Sequence, residues 1–200
     1  MRLRVAQEVP DTEAEGPGTR YALWVQGCSI RCPGCCNPEM FVHGRGGHEV
    51  EADGLAKRIL ATQGLEGLSV LGGEPFEQAA AVAEVAKRVR AAGLSVMVYS
   101  GFTLAELRAR ANAGVEGTAA LLGEIDLLVD GRYEQSTPEK ERRWLGSSNQ
   151  VMHFLTPRYQ PDDPRFLAPN TLELRFENGE LTINGWPGAA DALRGPGARK

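Results

Sequence analysis

The chain has 200 residues, 42% of them hydrophobic and 24% charged, the balance of a single soluble globular protein able to bury a core. Its net charge of -4, from 22 Lys and Arg against 26 Asp and Glu, supplies no basic stripe for phosphates, so nucleic acid is not an expected partner. The opening residues carry acid where a secretion signal needs an apolar stretch, and no apolar run approaches the roughly 18–20 residues of a membrane span, so a cytoplasmic protein without membrane contact is expected.

In chain order, the alternating residues 2–9 predict a first strand and residues 21–25 a second, separated by the turn-rich Glu15-Gly16-Pro17-Gly18. The second strand runs directly into Cys28, Cys32, Cys35 and Cys36, the only cysteines of the chain. After a glycine-rich stretch at 44–47, Asp53 is placed to cap a helix reaching Thr62, and residues 68–71 form a short strand ending in Gly72-Gly73-Glu74-Pro75. Residues 76–92 predict a helix with Val82, Ala86 and Val89 on one face, closed by Gly93. Residues 95–99 read as a strand, Ser100-Gly101 as a turn, Thr103 as the cap of a helix to Asn112, and residues 125–129 as a buried strand ending at Asp130-Gly131.

Strands alternating with helices of this length predict an α/β fold with a mainly parallel sheet, and such sheets bind ligands beyond the carboxyl ends of their strands. The cysteines, Gly72 to Pro75, Ser100-Gly101 and Asp130-Gly131 all fall at such ends. Pro157, Pro161, Pro164 and Pro169 mark irregular chain, and residues 171–176 and 181–184 flank Asn178-Gly179, the signal of a small C-terminal β-hairpin appendage. The expected division is a core over residues 1–155, an extension with the hairpin over 156–194, and a disordered tail over 195–200.

Four cysteines within nine positions cannot staple distant loops and point instead to metal or thiol chemistry. The CxxxCxxC spacing of Cys28, Cys32 and Cys35 lets three thiolates converge, and three ligands on an iron–sulfur cubane leave one iron open. Structural zinc is one competitor; its ligands ordinarily arrive as two separated pairs, and only His43 or His48 could complete the set. Dithiol exchange through Cys32-Pro33-Gly34-Cys35 is the other, but it leaves Cys28 unexplained and lacks a following helix N-terminus to acidify a thiol. Cys36 leaves the backbone in a different direction from Cys35 and is expected as a small buried wall residue, and Trp24, Trp144 and Tyr99 are expected in the core.

The segments WVQGCSIRCPGCCNPEMF, LGGEP, VYSGFT, DLLVDGRYEQ and WLGSSNQVMHFL, with Gly-Pro-Gly-Thr-Arg at 16–20, resemble in order the anaerobic ribonucleotide reductase activating proteins of the radical S-adenosylmethionine (radical SAM) superfamily. The resemblance implies a partial (β/α) barrel, a [4Fe-4S] cluster on Cys28, Cys32 and Cys35, and S-adenosylmethionine chelating the open iron. It places the Gly72, Gly73, Glu74, Pro75 loop at the cofactor, where glycines permit close backbone approach and Glu74 offers an acceptor for an amine. It further implies Gly34, Cys35 and Cys36 beside the nucleoside, and Ser100, Gly101, Asp130 and Asn149 as nucleoside or methionine contacts. The implied activity is reductive cleavage of the cofactor to a 5′-deoxyadenosyl radical that takes hydrogen from a backbone glycine of a partner enzyme, with a flavodoxin or ferredoxin as electron donor. Two alternatives are a radical SAM modifier of another peptide and a cluster-carrying electron-transfer or sensor protein, the latter having no use for the Gly-Gly-Glu-Pro loop.

Overall fold

The computed structural model describes residues 1–177 and 180–185. Its strands are β1 (Arg2–Thr12), β2 (Arg20–Val25), β3 (His48–Glu51), β4 (Gly67–Gly72), β5 (Ser95–Ser100), β6 (Leu127–Asp130), β7 (Val151–Phe154), β8 (Leu172–Glu177) and β9 (Glu180–Gly185). The first seven form one sheet in the order β3-β1-β2-β4-β5-β6-β7, and β8 with β9 form the separate hairpin. β2, β4, β5 and β6 are parallel, while β3, β1 and β7 add antiparallel edges. The α/β architecture with a parallel centre is therefore as expected, as is the appended hairpin, whose Asn178-Gly179 turn and the tail over 195–200 lie outside the described residues.

Helices α1 (Ala52–Ala61), α2 (Ala79–Ala91), α3 (Leu104–Asn112) and α4 (Thr118–Leu122) join the parallel strands, and their apolar side chains share one core with one face of the sheet. Strand residues alternate between faces, so Leu23, Val25, Leu68, Val70, Val96, Val98 and Leu128 meet Leu55, Ile59, Val82, Val85, Val89, Leu107 and Leu121. Each fully buried aliphatic side chain contributes about 1.5–3 kcal/mol, which makes this layer the main source of stability. The opposite face carries Ala22, Trp24 and Leu71 beside Met97, Leu127 and Val129, and chain from beyond β6 covers part of it with Trp144, Leu145, Tyr159 and Phe166. Phe166 belongs to a short helix α5 (Pro164–Leu167), so the first turns of the extension pack as core.

Several boundaries differ from expectation for local reasons. Asp53 does not cap α1: pairing of β3 with β1 carries the chain to Glu51 and straight into the helix, leaving Asp53 in the first turn bound to Lys57 and Arg88 at 2.7 and 2.8 Å. The predicted helix 76–92 starts as a 3-10 turn, Pro75–Gln78, because Gln78 turns inward to donate to the carbonyls of Arg4 and Gln26 at 3.0 Å each. The first strand runs three residues past Val9 across a register shift that accommodates Pro10. Thr103 does cap α3, in a reciprocal capping box with Glu106.

Candidate functional site

The cysteine loop leaves the carboxyl end of β2 and is fixed at its root by three main-chain bonds, from Gln26, Gly27 and Cys28 to Arg4, Met40 and Phe41. Cys35 N–H donates to the Cys32 carbonyl at 3.1 Å, with Gly34 at φ 76°. This is the signature of a type II turn with Pro33 and Gly34 at its centre, and it turns Cys32 and Cys35 towards each other. Arg31 is also left-handed, at φ 52°, so the loop is wound tightly between Cys28 and Cys35. Burial holds the Cys28 and Cys32 thiols above their ordinary range, whereas the Cys36 thiol, hydrogen-bonded to Cys35, lowers Cys35 to about 7. That same bond raises Cys36.

Gly73 and Glu74 grip this loop from the end of β4. Gly73 N–H donates to Val25 O at 2.7 Å and Glu74 N–H to Gly27 O at 2.8 Å. A Cβ on Gly73 would sit 2.2 Å from the Gly27 carbonyl oxygen, so the close approach that requires glycine is to the cysteine loop. Glu74, only 1% exposed, accepts from Phe76 N–H and Ser100 Oγ on one oxygen and from Gly101 N–H on the other, each at 2.9 Å. Burial raises its carboxyl to about 7 despite those donors. Gly101 in turn lies under Ile30 of the cysteine loop. β2, β4 and β5 thus deliver three segments to one place.

They open on a cavity of about 270 Å³ that extends along the sheet face opposite the helices. Cys28, Cys32, Cys35, Cys36, Gly72, Gly73, Glu74, Ser100 and Gly101 line it. Four expected site residues are placed elsewhere. Asp130 lies on the helix side of β6 and accepts from Leu104 N–H at the start of α3. Asn149 is exposed and donates to Arg132 O at 2.8 Å. Gly34 packs under Gln135, and Pro75 is buried at the head of its 3-10 turn. Cys36 is not the buried wall residue expected: the turn at 32–35 leaves it exposed at the cavity rim. Trp24 and Trp144 are buried as expected and Tyr99 is half-buried, yet all three residues line the cavity.

Sulfur donors on a tight loop suit iron. A cubane meets each cysteine at a different iron, so three thiolates spread along one loop match its spacing. The described lining also contains three carboxylates, Glu15, Glu39 and Glu74, and no Lys, Arg or His. That favours a cationic or neutral guest over a phosphate.

The sequence profile of the 4Fe-4S single cluster domain matches residues 14–153. The chain is 34% identical over 157 residues to the anaerobic ribonucleoside-triphosphate reductase-activating protein of Vibrio cholerae, covering 75% of this chain and 97% of that one. It is 33% identical over 156 residues to the protein of the same name from Escherichia coli K12, covering 74% and 97%. The chain belongs to this activating-protein family. A solved structure, QueE from Escherichia coli, superposes on 52% of this chain and 54% of its own with a TM-score of 0.42 at 13% identity, too slight a likeness to argue from.

Within the family frame the structure adds residues that sequence reading missed. Glu77 accepts from Ser29 N–H at 3.0 Å and meets His43 at 2.7 Å, clamping the start of the cysteine loop. Burial opposes its ionisation, but these partners outweigh it and lower its carboxyl. Glu15, Tyr133, Gln150, Asn170, Ile183 and Asn184 also line the cavity, the last three from chain beyond the profile match. Tyr133 and Gln150 fall in segments that carry the family resemblance, Glu15 precedes the Gly-Pro-Gly turn, and Ile183 and Asn184 fall in the predicted second hairpin strand.

Proposed function

We propose that this chain is a radical SAM activase that generates a glycyl radical on an anaerobic ribonucleotide reductase, with Cys28, Cys32 and Cys35 holding a [4Fe-4S] cluster and S-adenosylmethionine on its open iron. The observation that carries this reading is that the three cysteines of the CxxxCxxC loop and the Gly72-Gly73-Glu74 loop face one cavity at the carboxyl ends of adjacent parallel strands. Held there, the pair would supply one-electron reductive chemistry at the sulfonium, with the electron coming from an external donor, and so the means of removing a hydrogen atom from a glycine of the partner.

The chain's own residues position and shield that chemistry. Gly73 and Glu74, bonded to Val25 and Gly27, hold the cysteine loop at a fixed distance from the strand ends. Glu74 stays acceptor-rich and partly ionised near neutral pH, which suits the positively charged methionine end of the cofactor. Trp24, Tyr99, Tyr133 and Trp144 wall the cavity with aromatic surface and exclude the water and adventitious hydrogen donors that would quench a radical. A small flavodoxin or ferredoxin is the proposed electron donor, acting in the cytoplasm. No helix among the described residues is long and apolar enough to cross a membrane.

Anaerobic reconstitution with iron and sulfide, followed by reduction in the presence of S-adenosylmethionine, tests the reading. Methionine and 5′-deoxyadenosine should appear together. A cluster-loaded, reducible protein that leaves the cofactor intact returns the chain to electron transfer or sensing.

A further inference from the structure

Among the described residues, two cavity-lining donors find no partner: Trp144 Nε1 and Asn184 Nδ2, both buried, on residues only 8% and 3% exposed. A buried donor without an acceptor is costly, and it persists where a ligand supplies the acceptor. Both groups are held in place. Trp144 sits at φ 63°, its main-chain N–H donating to Asn170 Oδ1 at 3.3 Å, with the Arg143 guanidinium 4.2 Å from its ring centroid. Arg143 is itself tied to Arg165 O and Thr171 Oγ1 at 2.9 Å each. On the other side, Gly185 N–H donates to Glu15 at 2.8 Å, and Glu173, paired across the hairpin with Asn184, accepts from Thr12 Oγ1 and Glu13 N–H at 2.7 Å each.

We infer that this end of the cavity is the subsite for the substrate main chain, in which Trp144 Nε1 and Asn184 Nδ2 donate to peptide carbonyls of an uncharged, glycine-containing segment of the partner. The inference deepens the activase reading and rests on it. Two neutral donors recognise carbonyl oxygen without demanding charge. Glu15 and the lack of any Lys, Arg or His in the described lining turn away an acidic segment. Ile183 lines the cavity and shares its face of the hairpin with Leu174, Phe176 and Leu181, all three exposed, while Asn184 shares the other face with Glu173. Carbonyls fixed on two sides orient a glycine Cα towards the reacting carbon, which is the positioning that hydrogen transfer needs. Asn184 lies beyond the profile match at 14–153, so part of the specificity of this chain resides in its own extension.

Trp144→Phe removes the donor and keeps a ring, and Asn184→Ala removes the other from a separate element. Each variant of the full chain, loaded with cluster, is compared with wild type in two ways: glycyl radical formed on the reductase per 5′-deoxyadenosine released, and the dissociation constant of the complex with the reductase by calorimetry. The ratio should fall severalfold and the dissociation constant should rise roughly three- to tenfold per lost donor. Both quantities at wild-type values overturn the inference. So does a loss confined to S-adenosylmethionine affinity, which assigns the donors to the cofactor. A wild-type chain that forms no radical on the reductase removes the activase reading and the inference with it, whereas wild-type activation with unaffected variants removes the inference alone.

Discussion

Replacing Gly73 by alanine should loosen the cysteine loop. The added Cβ would stand 2.2 Å from Gly27 O, 2.7 Å from Gly27 C and 3.0 Å from Gly27 N, all main-chain atoms that cannot rotate away. Restoring ordinary contact requires the two segments to part by roughly 1 Å, given the 3.4 Å or more at which van der Waals contact is normal. That movement breaks the Glu74 N–H to Gly27 O bond at 2.8 Å and strains the Gly73 N–H to Val25 O bond at 2.7 Å. Two buried main-chain bonds at about 1 kcal/mol each, with the cost of leaving their groups unpaired, give a loss of about 2–4 kcal/mol. For a domain of this size that is a fall of roughly 5–15 °C in melting temperature. Because Gly27 adjoins Cys28, iron retained after reconstitution should fall with it. Differential scanning calorimetry and iron analysis on Gly73→Ala measure both. Wild-type melting and wild-type iron content would show that this contact does not set the loop and would refute the reasoning.

Cys28→Ala, Cys32→Ala and Cys35→Ala should each abolish the cluster absorbance of the reconstituted protein, while Cys36→Ala should keep most of it; equal loss in all four would make Cys36 a ligand. Glu15 and Glu74 both have carboxyls raised to about 7 by burial, so the folded chain binds more protons than the unfolded one between the ordinary carboxylate range and neutrality. Stability of the cluster-free chain should therefore decline as pH rises from about 5 to 8, and Glu74→Gln should flatten part of that slope in pH-dependent melting. Deleting residues 171–200 should leave a folded chain, because Tyr159 and Phe166 remain to cover Met97, Leu127 and Val129. Deletion from residue 155 removes that cover and Tyr159, whose hydroxyl meets Ser95 at 2.8 Å and Glu66 at 2.7 Å, and should give aggregation on expression.

What the sequence revealed followed the strength of local signals. Apolar runs with Gly or Pro at their ends marked β2, β4 and β5, and since parallel strands point one way, their loops had to converge on one site. β3 and β7 escaped notice because each is a four-residue edge strand, and its pairing is decided by β1 or β6 rather than by its own periodicity. Spacing singled out Cys28, Cys32 and Cys35, and the structure brings all three to one cavity. Asp130 and Asn149 lie outside the cavity lining, where Asp130 accepts from Leu104 N–H and Asn149 donates to Arg132 O, bonds that a polar residue in such a loop makes as readily as ligand contacts. Glu77 and Asn184 were invisible, since Glu77 acts on Ser29, 48 positions away, and Asn184 joins the cavity lining only once the hairpin docks.

The central claim is tested most directly by electron paramagnetic resonance on an anaerobic ribonucleotide reductase incubated with the reconstituted chain, S-adenosylmethionine and a one-electron reductant. The account predicts a glycyl radical on the reductase that requires every component and disappears with Cys32→Ala. A reductase that stays radical-free beside a cluster-loaded chain that cleaves its cofactor would contradict it.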